Sequence, residues 1–220
     1  MAELFAVPGP LRDDAWNEKF LSSVQTASFA SSDPQVITGP DGFPYFGLKL
    51  PEPGKAFTSY CIRNMKDDFL LDNGYGITIN PTDTSADWVF SYGDIVNLEL
   101  NKEFYSQNEN IGIEREITLK KNEEILIAQP SESYFPAKAK TIVRNYLKYY
   151  RVTEPKTMLI SRKANGKMIQ ELAFNIFKEE VAHPEKLDSF MQQLSWFFPR
   201  HYILVLVSKD SDLIKHFETL

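Results

Sequence analysis

The sequence predicts an α+β protein made of two small domains, with helices packed on mixed or antiparallel sheets. Helical periodicity is clearest in the second half, where apolar residues recur every three or four positions at 136–150 and again at 187–198. Shorter apolar segments between and before these helices have the length of strands. With 220 residues, the chain is long enough to bury a core as one large domain or as two smaller ones.

A polar segment, QPSESYFP at 129–136, predicts the domain boundary, so that residues 1–128 form an acidic α+β domain and residues 129–220 a second α+β domain. The charge changes at the same place. Residues 1–128 carry 10 Lys/Arg and 20 Asp/Glu, a net charge of −10, whereas residues 129–220 carry 14 and 10, a net charge of +4. Opposite charge favours docking of the two halves, and the alternative is that each half has its own partner.

In the first half, Asp13 or Asp14 is placed to cap a short helix. The segment 28–43 is rich in Ser, Pro, Asp and Gly and predicts a loop. A strand is predicted at 45–50, and a helix capped by Thr58 or Ser59 within 57–70. The remaining predicted elements are strands at 75–80, 87–92, 113–119 and 125–129, the last two paired as a hairpin, and a helix or loop at 94–105.

The second half predicts the order α-β-β-α-β-α. Asn165-Gly166 is a strong hairpin signal between its first two strands, and His183-Pro184 is a suitable helix start. YILVLV at 202–207 is expected to be a central, buried strand, and Ser211 to cap the last helix. The predicted ranges are 136–150, 157–162, 169–177, 183–198, 202–207 and the residues after 211.

The segments WNEKFLSSVQTASF at 16–29, KAFTSYCI at 55–62, GYGITINP at 74–81 and EILIAQPSESYFPAKAKTIVRNYL at 124–147 resemble segments of the enhanced serine sensitivity (SseB-like) family of bacterial proteins. The resemblance implies an N-terminal α+β domain followed by a domain of helix, hairpin, helix and strand. It also implies a cytoplasmic bacterial protein with no known catalytic apparatus. The segments 88–94 and 106–112 have no counterpart in that family.

Cysteine content and hydropathy bear on the compartment. Cys61 is the only cysteine, which excludes an internal disulfide and a cysteine-based zinc site and favours a reducing compartment. The N-terminal residues lack the basic start and apolar core of a secretory signal, and no apolar run approaches the roughly 20 residues of a membrane helix. We therefore expect a cytoplasmic location without membrane contact.

Gly74-Tyr75-Gly76 raises the question of a phosphate-binding loop. A dinucleotide site needs Gly-x-Gly-x-x-Gly between a strand and a helix, but here Ile79 occupies the third glycine position and a strand follows. The sequence also lacks the Gly-Lys-Ser/Thr of a P-loop. We interpret Asn73-Gly74 as a turn before a strand that starts at Tyr75, and we predict no cofactor.

No catalytic residue and no metal ligand is predicted. His183, His201 and His216 lack the spacing of a metal site, and the chain has no Gly-x-Ser-x-Gly nucleophile motif. We interpret Cys61 as a packed structural cysteine. A hydrolase-type enzyme that uses Asp94, or a nearby carboxylate, with a histidine remains the alternative.

Trp88, Phe90 and Tyr92 alternate along the chain and are predicted to share one face of a strand. This face is either core or a contact platform. In the second case, together with Tyr75 and with Asp94 at its edge, it binds a protein partner or a small ligand, because Trp and Tyr are frequent anchors at interfaces.

Lys140, Arg144, Lys148 and Arg151 follow one another at helical spacing, opposite the apolar face of the helix at 136–150. They predict an anion- or partner-binding face. Such a face can contact the phosphates of a nucleic acid, but the pI near 5.2 and the lack of a second basic cluster argue against that class.

These observations together predict a non-catalytic, cytoplasmic binding or regulatory protein that engages a protein or a small ligand. Homo-oligomerisation is possible. The alternatives are the carboxylate/histidine enzyme and nucleic-acid binding through the Lys140/Arg144/Lys148 helix face.

Overall fold

The computed structural model describes residues 1–106, 124–164, 166–177 and 186–220. The contacts between residues divide the chain into two compact units, Met1–Tyr105 and Ser106–Leu220, which we call unit 1 and unit 2. Each unit combines a sheet with helices, so the predicted α+β class is confirmed. Within the described ranges, no helix has the length and apolarity needed to cross a bilayer.

Unit 1 has a mixed sheet in the strand order β1-β2-β3-β4. The pair β2–β3 is parallel, which requires a crossover, and the helical segments between the two strands provide it. Its helices are α1 (Ala2–Phe5), α2 (Asp14–Val24), α3 (Ile62–Met65), α4 (Leu71–Asn73) and α5 (Tyr92–Asn101), with a 3-10 turn at Gly9–Leu11 and a π-helical turn at Lys66–Leu70. Its strands are β1 (Ala30–Thr38), β2 (Pro44–Lys49), β3 (Gly76–Ile79) and β4 (Trp88–Phe90).

Helix α2 begins where the sequence predicts. The Asp13 carboxylate accepts a hydrogen bond from the Trp16 main-chain N–H at 2.9 Å, which satisfies one of the free donors at the helix start. Trp16, Phe20 and Val24, at four-residue spacing, form the buried face of the helix. This face is directed to the core of unit 1.

Two predictions for unit 1 are wrong. Strand β1 lies within the segment predicted as a loop, and it pairs antiparallel with β2 through an irregular register between Ser31 and Val36. An irregular strand at the end of this order accepts polar residues and a proline. The composition of 28–43 is therefore compatible with a strand as well as with a loop. The helix predicted to be capped by Thr58 or Ser59 starts only at Ile62, after Cys61 at its N-cap.

Unit 2 follows the predicted order, with strand β5 added before it. Its elements are β5 (Ile125–Ala128), α6 (Ala137–Tyr149), β6 (Lys156–Ala164), β7 (Lys167–Phe174), α7 (Leu187–Ser195), β8 (Ile203–Val205), a 3-10 helix at Asp212–His216 and β9 (Glu218–Thr219). The Ser211 hydroxyl accepts a hydrogen bond from the Leu213 N–H and caps the 3-10 helix as predicted. The predicted strand 113–119, most of the loop 106–112, Asn165 and the helix start at His183-Pro184 lie outside the described residues.

Strand β5 is part of the sheet of unit 2. It pairs antiparallel with β6, with Leu126 opposite Ser161. The segment 125–128 therefore belongs to the sheet of unit 2, and the structural division falls after Tyr105 and not after residue 128. The predicted hairpin of 125–129 with 113–119 involves residues outside the described ranges and stays a prediction. A hydrophobic run of four residues carries no information on its pairing partner, so the sequence does not indicate that this strand lies beside β6.

The sheet of unit 2 has the order β5-β6-β7-β8 in its described part, with β9 also on β6. Strand β8, predicted to be central, lies at the end of this order, parallel to β7. It is nevertheless buried. One apolar cluster of the unit contains Met158, Ile160, Ala173, Ile203, Val205, Val207 and Leu213.

A buried ion pair joins β6 to β7. The Arg162 Nε and Nη2 atoms donate to the two carboxylate oxygens of Glu171 at 2.8 and 2.6 Å. The Glu171 side chain is fully buried and that of Arg162 is largely buried. This two-point contact is the strongest arrangement for an arginine and a carboxylate, and it fixes both side chains. No sequence pattern marked either residue.

Candidate functional site

The predicted row of rings is shorter than expected. Trp88 and Phe90 lie on one face of β4, but the strand ends there and Tyr92 is the first residue of α5. The strand stops because Ser91 and Asp94 start a helix. Tyr92 is therefore not part of the strand face, whereas Val89, on the opposite face, is 44% exposed.

Other rings cover Phe90. Its ring stacks on that of Phe104 with centroids 3.9 Å apart and lies parallel to that of Phe20 at 6.3 Å. Phe90 and Phe20 are fully buried, and Phe104 is nearly so. The core interpretation therefore fits Phe90, which has no surface left for a partner.

Trp88 lies at the margin of the same cluster and is half-buried. Its ring contacts Phe20 at 4.6 Å and Trp16 at 5.9 Å between centroids. Its indole N–H donates to the Tyr105 hydroxyl at 3.2 Å. Packing on several sides and a satisfied N–H are what a structural tryptophan requires.

Arg12 extends this cluster, and sequence reasoning missed it. Its guanidinium lies over the Trp16 ring, 4.7 Å from the centroid, and donates to the Asp87 carboxylate at 3.0 Å. A cation over an indole is a favourable contact, and the ion pair holds the guanidinium in place. Arg12 thereby joins the segment before α2 to the residue before β4. The sequence around Arg12 carries no motif that indicates this role.

Asp94 has a structural role. Its carboxylate accepts a hydrogen bond from the Ser91 N–H at 2.9 Å, while the Ser91 hydroxyl accepts one from the Asp94 N–H at 3.1 Å. This reciprocal capping box satisfies two main-chain donors at the start of α5. Because Asp94 is fully buried, its carboxylate is not exposed at a surface where a substrate could reach it, as the hydrolase alternative requires.

Tyr92 is fully buried, and its hydroxyl donates to the Leu71 carbonyl at 2.9 Å. Burial, with a smaller contribution from the negative charge of Asp72, raises the pKa of Tyr92 far above its usual value. This tyrosine therefore stays protonated in the folded protein under conditions that ionise it in the unfolded chain.

We expect unit 1 to lose stability above about pH 10, the ionisation range of an unfolded tyrosine. Because the folded-state pKa of Tyr92 is raised, its contribution is complete below this pH and is lost as pH rises, by about 1.4 kcal/mol per pH unit. Urea unfolding of wild type and Tyr92→Phe, followed by tryptophan fluorescence over this range, measures the difference. Equal pH slopes for the two proteins would contradict the prediction.

The glycines near Tyr75 have two separate roles. Gly74 ends α4 with φ 69°, the left-handed conformation that suits glycine at a helix end. A Cβ at Gly76 would lie 2.6 Å from both the Tyr45 ring and the Phe90 carbonyl oxygen. The interpretation of Asn73-Gly74 as a turn is confirmed, with β3 starting at Gly76 and the half-buried Tyr75 just before it. Neither glycine is at the start of a helix, where a phosphate would bind.

Lys66 is a second buried charge that the sequence did not indicate. It lies in the π-helical turn, and its ammonium group contacts the carboxylates of Asp67 and Glu99. Burial by itself lowers the pKa of Lys66, but the hydrogen bonds to the two carboxylates outweigh it, so that the pKa is raised. A lysine that holds its proton this firmly is an ion-pair partner and not a nucleophile.

The histidines and the cysteine form no cluster in the part of the chain that the structure describes, where no group of three or more His, Cys, Asp or Glu residues is suited to a metal ion. His201 packs edge-on against Tyr202, and burial lowers the pKa of His201. His216 is exposed in the 3-10 helix. The Cys61 thiol donates to the Gln25 carbonyl at 3.3 Å, which fits a structural cysteine.

The predicted basic face of α6 divides into two parts. Lys140 pairs with Glu132 at 3.2 Å and donates to the Pro130 carbonyl, and Arg144 donates to the main-chain oxygen of Leu220 at 2.5 Å. These two side chains hold adjoining segments of unit 2 against the helix. The cationic groups of Lys140 and Arg144 are therefore engaged in contacts within unit 2.

The other part lies at the C-terminal end of α6. Lys148 and Arg151 are exposed, and among the described residues neither has a side-chain hydrogen bond or ion pair. Between them, Tyr149 is 82% exposed and Tyr150 is 44% exposed. We call these four residues the α6 end surface. The sequence pattern does not single out these two tyrosines.

Rings below the surface support the α6 end surface. The Tyr149 ring meets that of Tyr150 edge-on at 5.3 Å, and Tyr150 meets Phe190 of α7 at 5.1 Å. The hydroxyls of Tyr146 and Tyr150 both lie 3.3 Å from the Gln193 side-chain oxygen. The exposed rings therefore rest on a packed layer that limits the motion of Tyr150.

Comparisons with protein-family models, with curated proteins and with solved structures find no match to this chain. The geometry of the two units is therefore the basis for a functional proposal.

Proposed function

We propose that this protein is a non-catalytic binding protein that contacts a partner protein through the α6 end surface. The observation that carries the proposal is the pair of exposed tyrosines, Tyr149 and Tyr150, between two cations that have no side-chain partner among the described residues. Tyrosine and arginine are enriched at protein interfaces, whereas lysine at the rim contributes mainly to steering.

The chemistry of these side chains suits recognition. A tyrosine buries a large area on binding at the cost of two side-chain torsions, and Tyr150 is already held by Phe190 and by Gln193. The entropy lost on association is lower for a side chain that is ordered beforehand. The exposed ring of Tyr149, which lies outside this layer, can then pack against the partner.

The residues behind the other hypotheses have structural roles instead. Asp94, central to the hydrolase alternative, caps α5. Phe90 and Tyr92, central to the aromatic platform, are fully buried. These positions favour binding elsewhere over catalysis or recognition at the β4 region. A cytoplasmic location and membership of the SseB-like family belong to the same proposal, on the basis of the single cysteine and the sequence resemblance.

A photo-crosslinking amino acid at position 149, in the full chain expressed in its source cell, tests the proposal. We expect a discrete crosslinked adduct with one or a few proteins. The matched control is the same amino acid at Met168, which is also in unit 2 and is 62% exposed. No adduct at 149, or the same adducts at both positions, would show that the α6 end surface is not a specific interface.

A further inference from the structure

We infer that the partner segment bound at the α6 end surface is an acidic stretch of polypeptide carrying at least one apolar side chain. This inference rests on the proposed function and adds the chemistry of the occupant. Each property follows from a different pair of residues on the surface.

Lys148 and Arg151 determine the sign of the charge. They are exposed cations without an internal partner in the described structure, and they extend from the last turn of α6 to the residue after Tyr150. Arg151 has φ 70°, so the chain turns there and the main chain leaves the helix direction. A carboxylate placed here can pair with either cation, and a basic segment would be repelled.

The tyrosines determine the apolar part. Tyr149 and Tyr150 expose ring surface next to the cations, and a charged segment alone would leave that surface in water. An aliphatic or aromatic side chain laid on the rings removes apolar area from water, which supplies the affinity that exposed ion pairs lack. A segment with both properties matches the whole surface.

The number of available cations distinguishes this occupant from other polyanions. A nucleic acid presents closely spaced phosphates and is bound by many cations together, whereas Lys140 and Arg144, the nearest on the helix, are engaged with Glu132 and Leu220. An anionic membrane is recognised by clusters of about 4–8 Lys/Arg. Two cations suit the sparser carboxylates of a peptide.

A random-peptide display library selected on the immobilised full-length protein tests the inference. We expect the enriched peptides to have a net negative charge and to contain an aliphatic or aromatic residue. Their dissociation constants should rise about tenfold or more for the Lys148→Glu/Arg151→Glu variant, because attraction becomes repulsion at two positions. Lys163→Glu/Lys167→Glu, which reverses two exposed cations elsewhere in unit 2, is the matched control and should change affinity by less than about twofold.

Other outcomes of the selection and of further binding measurements point to a different occupant. Enriched peptides that are neutral or basic, or equal losses for both charge-reversed variants, overturn the inference. Tighter retention of oligodeoxythymidine or of phosphatidylserine vesicles than of the peptides also overturns it. So does a dimer of the wild-type protein, measured by sedimentation, that is absent in the Lys148→Glu/Arg151→Glu variant. If crosslinking at position 149 finds a partner but acidic peptides are not enriched, the proposed interface stands and the acidic occupant is wrong. If both fail, the proposed function fails.

Discussion

Arg162→Met is expected to destabilise unit 2 by about 3–5 kcal/mol, the usual cost of removing one partner of a buried ion pair. The substitution leaves the Glu171 carboxylate fully buried without its cation and without the two hydrogen bonds that satisfy its oxygens. Such a group loses its hydration on folding and regains nothing in return. The loss is therefore larger than the net contribution of the pair itself.

The double variant Arg162→Met/Glu171→Leu separates the two effects. Replacing a buried pair by apolar residues of similar volume is often neutral or stabilising, so we expect the double variant to fall within about 1 kcal/mol of wild type or above it. The neighbouring positions on this face are Ile160 and Ala173, which provide an apolar surrounding. Lys163→Met, at an exposed position of the same strand, is the control and should change stability by less than about 0.5 kcal/mol.

Fluorine NMR of protein labelled with 5-fluorotryptophan measures the two units separately during denaturant unfolding. Of the three tryptophans, Trp16 and Trp88 report unit 1 and Trp196 reports unit 2. The expected change is confined to the Trp196 transition. A double variant as unstable as Arg162→Met would mean that the ion pair itself, and not the unpaired carboxylate, supplies the stability.

Phe90→Ala is expected to destabilise unit 1 by about 3–5 kcal/mol, because it removes a large ring from a packed core and leaves a cavity. Phe90 is fully buried and lies between the rings of Phe20 and Phe104. Loss of the ring therefore exposes two further aromatic faces to empty space. The tryptophan resonances of unit 1 report this loss directly, since Phe20 contacts both Trp16 and Trp88.

Val89→Ala is the matched control for Phe90→Ala, because it truncates the adjacent residue of the same strand on the exposed face. Its expected effect is less than about 1 kcal/mol. Phe90→Leu, which keeps most of the volume, should lose less than Phe90→Ala and remains measurable if the alanine variant does not fold. If Phe90→Ala and Val89→Ala cost the same, the ring cluster is not the core of unit 1.

Much of the fold could be predicted because local rules act over a few residues. The cap at Asp13, the apolar face of α6 and the turn at Gly74 all depend on near neighbours in the sequence. Sheet pairing depends on residues far apart. The sequence therefore contained no indication that 125–128 pairs with β6, or that a polar segment with Pro34 becomes a strand beside β2.

The candidate site was less predictable for the same reason. Alternation at Trp88 and Phe90 predicted a shared face, but whether α2 covers that face is a tertiary property. Spacing at Lys140 and Arg144 predicted a basic stripe, but their internal partners, Glu132 and Leu220, come from other segments. Exposure of the α6 end surface is likewise a consequence of packing, which a periodicity cannot reveal.

The contact between Gly76 and Tyr45 has a consequence for the evolution of this chain. A side chain at position 76 would meet the Tyr45 ring, which a smaller residue at 45 could relieve, but it would also meet the Phe90 carbonyl oxygen, which no substitution removes. In an alignment of homologues, position 76 is therefore expected to remain glycine while position 45 varies. Position 74 differs, because its left-handed conformation is one that asparagine also adopts. Two glycines separated by one residue would then show different substitution patterns.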